Sequence, residues 1–279
     1  MKNKNLKILF LYPNLHMSTL VPNAISILTA YLKRAGFKNI DLFDTTFYES
    51  AGVTRAQADG KSKYDVRVKY GNVQPFNFEE RNVKLKQTDM FNDFVNKVNN
   101  FNPDIIFASL VEDTYPIFIK FMELIKNKKI PVLAGGVFPS SAPERVLKLD
   151  FVDYVCRGEG EDALVELCNA LENGEDTTNI KNLWVKKNGK IVARNPIRPA
   201  LDVNTLPVQD LSIFEDITLH RPMMGKIYRM APVETQRGCP YACRFCNSPE
   251  KNEFYTAQKA GRFFRKRTMK HVHSEIREI

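Results

Sequence analysis

Three cysteines fall within eight residues, Cys239, Cys243 and Cys246, in the spacing C-x3-C-x2-C. Thiolates this close can converge on one metal centre from a single loop. Three of them fill three corners of a [4Fe-4S] cubane and leave one iron open for chemistry. Zinc is the competing reading. It would want a fourth ligand, which His271 or His273 could supply, but zinc sites favour paired C-x2-C units and there is one such pair. Five cysteines in all, three of them clustered, argue for a metal site in a reducing compartment and against a disulfide framework. Cys156 and Cys168 lie on a predicted strand and helix and read as buried small hydrophobes.

A long approach precedes this loop, and its pattern is regular. Residues 6–12 form a continuous apolar run of the kind a buried parallel strand shows. Asn23 can cap a helix to about Ala35, and residues 40–43 make a second strand. Residues 45–87 break the rhythm and read as a surface insertion, a lid or a docking arm. Thr88 or Asp89 then caps a helix, and strands at 105–110, 130–134 and 152–156 alternate with helices at 115–126, 143–149 and 160–171. Five strands alternating with five helices predict a doubly wound parallel sheet, flavodoxin- or Rossmann-like, in the order 2-1-3-4-5. Asn188-Gly189 between two apolar triplets predicts a hairpin with a type I′ turn. The proline-bearing stretch 195–212 reads as a linker that wraps rather than packs. A strand at 233–236 leads into the cysteine loop, and Thr268 caps a last helix. The expected division is residues 1–175, 176–230 as hairpin and linker, and 231–279.

Three weaker signals share one edge of that sheet. Ser109-Leu110 ends the third strand, Gly135-Gly136 ends the fourth, and Gly158-Glu159-Gly160 follows the fifth. Open α/β sheets bind ligands at the carboxyl ends of their strands. Small residues there let a large flat ligand approach the backbone. Singly, each has an ordinary explanation as turn or loop.

The cysteine loop, with Phe245 before its last cysteine, the preceding stretch 233–238 and Arg265-x-Arg267-Thr268, resembles the radical SAM superfamily. The resemblance implies that the open iron binds S-adenosylmethionine, and that one-electron reduction yields a 5′-deoxyadenosyl radical. The protein orients the cofactor and excludes water. The sheet-edge residues, standing before such a loop, are similar to the cobalamin-binding domain fused to many radical SAM enzymes. That implies cobalamin contacts at Ser109, Leu110, Gly135, Gly136, Gly158, Glu159 and Gly160. His16 stands near where methionine synthase-type domains carry a cobalt-ligating histidine, but the aspartate and glycine of their D-x-H-x-x-G are absent, so its ring is less well fixed as a ligand. A methylthiotransferase would need a second cysteine cluster, which Cys156 and Cys168 do not supply. Residues 231–279 resemble the first strand, loop and helix of a partial barrel, so an N-terminal portion of such an enzyme is expected. Methyl transfer or cyclisation on an unactivated substrate is the implied chemistry. The alternatives are a sheet domain serving only as scaffold, or a non-catalytic cobalamin-binding module. A flavodoxin or ferredoxin electron donor is implied.

Composition excludes several classes. The hydrophobic fraction, 43%, is that of an ordinary folded protein, and no apolar run approaches a membrane span. The start of the chain is too short in apolar residues for a signal peptide, so a cytoplasmic location is expected. The net charge is +9, with a basic, aromatic run at 262–267. No nucleic-acid recognition motif accompanies it, and a solvated surface is the expected reading.

Overall fold

The computed structural model describes residues 4–15, 21–48, 84–224 and 226–279. His16 lies outside them, as does most of the expected insertion. Among the described residues, seven strands form one sheet in the order β2-β1-β3-β4-β5-β6-β7. Strands β1 (Ile8–Tyr12), β2 (Ile40–Asp44), β3 (Ile105–Ser109), β4 (Val132–Gly135) and β5 (Tyr154–Cys156) pair in parallel, in the expected order.

Alternation along each strand feeds two cores. Ile8 and Phe10 of β1, with Ile105 and Phe107 of β3, face α1 (Asn23–Arg34) and α6 (Glu161–Asn173). Leu9, Leu11, Ile106 and Ala108 face α2 (Met90–Phe101), α3 (Tyr115–Ile125) and α5 (Pro143–Leu147), with the short α4 (Val137–Ser141) before it. A period of two places successive side chains on opposite faces, so both layers are filled from one strand. Asp89 caps α2 by accepting from the Phe91 and Asn92 amides at 2.9 and 2.8 Å. Asn23 does not cap α1. Pro22 holds that position, because its fixed φ suits a helix entry, and Asn23 begins the helix.

Two expectations change. The hairpin of β6 (Leu183–Lys187) and β7 (Lys190–Arg194) is not a separate linker. It turns at Asn188-Gly189 with φ of 52° and 73°, as expected, but β6 pairs antiparallel with β5 and extends the sheet past residue 175. Leu183, Trp184 and Val185 are all buried, which is what a strand inside a sheet requires. The stretch 195–212 packs rather than wraps. Ile197, Val203, Leu206 and Gln209 are buried, and Gln209 joins the Ser26 hydroxyl to the Pro232 carbonyl.

Beyond it lie a hairpin of β8 (His220–Met223) and β9 (Lys226–Arg229), then β10 (Gln236–Arg237), α7 (Ser248–Ala257), β11 (Arg265–Lys266) and α8 (Met269–Glu278). The strand expected at 233–236 is shorter and later than expected. β10 pairs antiparallel with β11, Arg237 opposite Arg265. The Thr268 hydroxyl caps α8 through the His271 amide. No described helix is long and apolar enough to cross a membrane.

Candidate functional site

The carboxyl edge of the sheet opens into a cavity of about 250 Å3. Its floor is apolar, from Phe10, Phe107 and Leu133. Ser109, Gly135 and Gly136 border one side, Gly158-Glu159-Gly160 another, and the first turns of α1 a third. The three scattered sequence signals are thus one site. Leu110 is not part of the wall; it is buried behind Gly136, and its amide donates to the Gly135 carbonyl at 2.8 Å.

The two adjacent glycines do different work. A Cβ on Gly136 would lie 2.6 Å from the Leu110 carbonyl oxygen, and its φ is +106°. That residue is glycine because the backbone allows nothing else. A Cβ on Gly135 would make ordinary contacts at 3.8 Å with Cys156 and Leu133, both cavity residues. Its missing side chain leaves room in the cavity. Cys156 is sealed in this wall, and burial pushes its thiol up to about 12.

One polar atom in the wall has no partner. Asn23 Oδ1 is buried without a hydrogen bond, on the turn of α1 that faces the cavity. A buried orphan acceptor costs free energy unless a ligand or water satisfies it. An apolar slot with close backbone access and one waiting polar group fits the flat base and sugar of a nucleotide-tailed corrinoid.

The upper wall comes from the cysteine-bearing segment. Glu234 and Arg237 both line the cavity. Arg237 donates to Glu161 at 2.6 Å, to Glu159 at 3.2 Å and to both oxygens of Glu234 at 3.1 Å. Arg265 holds the other side of Glu159 and the Leu201 carbonyl, and the Leu201 amide donates back to Glu159. Burial alone would raise the Glu159 carboxyl, but the Arg265 hydrogen bonds and the Arg237 charge outweigh it and hold the group below the usual carboxylate range. Glu159, named from sequence as a ligand contact, is therefore occupied by two arginines. Arg237 and Arg265 stood in the stretches that carried the family resemblance, but apart from Glu234, three residues before Arg237, nothing local to them revealed their partners.

The cysteine loop follows Arg237 directly. Gly238, at φ +83°, sits where a Cβ would clash with the Phe263 carbonyl, so the turn out of the strand requires glycine. Cys239 is half-buried, Cys243 and Cys246 are exposed, and all three are free thiols. Ser248, by its hydroxyl and its amide, holds the Cys246 thiol below its ordinary range. The Ser248 amide lies 3.4 Å from the sulfur. Among the described residues no three metal-ligating side chains are already gathered. The donor set is nonetheless all-thiolate, on one loop and open to solvent, which suits iron–sulfur ligation. His271 is committed elsewhere: its Nδ1 accepts from Arg267 at 3.3 Å and its Nε2 donates to the Leu206 carbonyl at 3.2 Å. It is not poised as the fourth ligand that a zinc site would need.

Fold and site define an α/β ligand-binding sheet joined edge-on to a three-thiolate loop. Residues 73–168 match the B12 binding domain family. The sequence is 32% identical over 182 residues to an uncharacterized methyltransferase, PH0819, of Pyrococcus horikoshii, covering 61% of this chain and 38% of that protein. It is 27% identical over 145 residues to an anaerobic magnesium-protoporphyrin IX monomethyl ester cyclase of Synechocystis, covering 47% and 26%. The fold matches the cobalamin-dependent S-adenosylmethionine radical enzyme OxsB, solved with aqua-cobalamin and S-adenosylmethionine, at a TM-score of 0.63 and 17% identity, over 98% of this chain and 31% of that one. Similarity to a B12 binding domain thus lies in the sequence, and similarity to a cobalamin-dependent radical enzyme in the fold. The chain spans about two fifths or less of the length of these relatives.

Proposed function

We propose that this chain is the cofactor-binding part of a cobalamin-dependent radical SAM enzyme of methyltransferase or cyclase type. The observation that carries the reading is the apolar cavity at the sheet edge, roofed by the residues that lead into the three cysteines. Cys239, Cys243 and Cys246 would hold the [4Fe-4S] cluster, with S-adenosylmethionine at its open iron. Ser109, Gly135, Gly136 and the Gly158–Gly160 turn would border the corrinoid tail, and Leu110 would support that wall from behind. Together the cofactors supply a reducing electron for the sulfonium and, for a methylase, a transferable methyl group.

The chain's own residues do the remaining work. Asn23, whose Oδ1 is buried without a partner, would accept a hydrogen bond from a bound tail. Phe10, Phe107 and Leu133 exclude water from it. Ser248 favours the thiolate of Cys246 for ligation. His16, which follows β1 in the sequence, would be the candidate cobalt ligand. Residues 1–175 would hold the corrinoid with the 183–194 hairpin added to their sheet, the rest of 176–230 would connect, and 231–279 would begin the cluster-binding unit. A cytoplasmic location and a flavodoxin or ferredoxin donor accompany this reading.

The test is equilibrium binding of hydroxocobalamin to the purified chain, compared with Gly135→Leu. The β4 backbone accepts a side chain at 135, and leucine would fill the cavity. Binding by the wild type that Gly135→Leu abolishes supports the site. Equal binding by both would place the corrinoid elsewhere, and binding by neither would leave the sheet as a scaffold.

A further inference from the structure

Arg237 and Arg265 sit among Glu159, Glu161 and Glu234, and all five side chains are largely buried, 6–17% exposed. Buried charges are tolerated only while their partners stay in place, so this cluster tends to be intact or broken as a unit. Its members serve two sites. Glu159 and Glu161 belong to the turn and first residues of α6 that wall the cavity, and Glu234 and Arg237 roof it. Arg237 is also two residues from Cys239, and the intervening Gly238 is pinned against Phe263.

We propose that Arg237 is a positioning residue that couples the two cofactor sites, so that corrinoid binding and cluster assembly on this chain strengthen one another. The inference rests on the corrinoid reading of the cavity. A filled cavity orders the α6 turn, and that turn, through Arg237, orders the entry to the cysteine loop. The second ligand then meets a loop already fixed and loses less conformational freedom on binding. By linkage the effect is the same in both directions.

A plain structural ion pair would lower stability without changing the ratio of affinities, so the ratio is the readout. Hydroxocobalamin is titrated into the anaerobic chain before and after reconstitution with iron and sulfide. The expected result is binding about tenfold tighter to the reconstituted chain, within the usual range of coupling between sites. The variant Arg237→Met combined with Glu161→Gln removes the guanidinium and its most buried carboxylate; Glu159 keeps Arg265, and the more exposed Glu234 is left to solvent. It is expected to bind with one affinity in both states, and its iron should leave to a chelator at a rate hydroxocobalamin does not change. Arg237→Lys, which keeps the charge but loses the fork, should fall between. Equal wild-type affinities in the two states, or an undiminished ratio in the double variant, would overturn the coupling alone. Absence of hydroxocobalamin binding in both wild-type states would overturn the corrinoid reading and the coupling with it.

Discussion

Replacing Gly136 by alanine tests the cavity wall at its least forgiving point. The new methyl would stand 2.6 Å from the Leu110 carbonyl oxygen and 3.0 Å from its nitrogen, both backbone atoms tied into the β3–β4 edge. The nitrogen is held by its hydrogen bond to the Gly135 carbonyl, and the oxygen accepts from the Phe138 amide at 3.4 Å. The φ of +106° adds strain that L-residues rarely bear. Strain and clash together should cost about 3 kcal/mol. For a unit of this size that is a fall in melting temperature of roughly 6–12 °C. The assay is thermal unfolding by circular dichroism on the chain without cofactors, so ligand binding does not intrude. Gly135→Ala is the control. Its methyl meets only ordinary contacts and should cost less than about 1 kcal/mol, while weakening hydroxocobalamin binding by occupying the cavity. A Gly136→Ala chain that melts within 2 °C of the wild type, on the scale of ~2–4 °C per kcal/mol, would refute the packing argument.

Three further outcomes are expected. Arg267 and Glu275 pair in near-complete burial beneath α8, so Arg267→Met should cost about 3–5 kcal/mol by stranding the carboxylate, and adding Glu275→Leu should restore most of it in urea unfolding. Burial raises Asp44 from 3.8 to about 6, against the Thr46 hydrogen bonds, and its Oδ2 has no partner. A raised carboxyl favours the folded state below its unfolded pKa and loses that advantage as pH climbs to the folded value. Wild-type stability should therefore fall more between pH 4 and pH 7 than that of Asp44→Asn, by on the order of 2 kcal/mol. Iodoacetamide on the reduced, metal-free chain should label Cys243 and Cys246 and spare the buried Cys156 and Cys168, by mass spectrometry. Reconstitution with iron and sulfide should protect Cys239, Cys243 and Cys246.

The alternation of Ile8-Leu9-Phe10-Leu11 with capped amphipathic helices made the parallel sheet legible, because both signals are local. The hairpin's place in the sheet was not, since pairing of Val155 with Trp184 is a choice between edges made in three dimensions. The apolar run Leu183-Trp184-Val185 was a hint of a strand covered on both faces. Ser109, the glycine pair and the Gly158–Gly160 turn were legible as small residues at strand ends, yet only geometry separates the backbone duty of Gly136 from the spatial duty of Gly135. Most of the ion-pair cluster was invisible because Arg237 and Arg265 meet Glu159 and Glu161 across 76 to 106 positions of chain. Polar α7 lacks a strong apolar stripe, and its Ser-Pro start was the available signal.

The central claim is that one chain carries both cofactor sites. It is tested most directly by counting iron and corrinoid on the same molecules, after anaerobic reconstitution with iron, sulfide and hydroxocobalamin and removal of excess by gel filtration. About four irons and one corrinoid per chain are expected, with Cys243→Ala losing the iron while keeping corrinoid. Iron without corrinoid, corrinoid without iron, or an iron content unchanged in Cys243→Ala would contradict it.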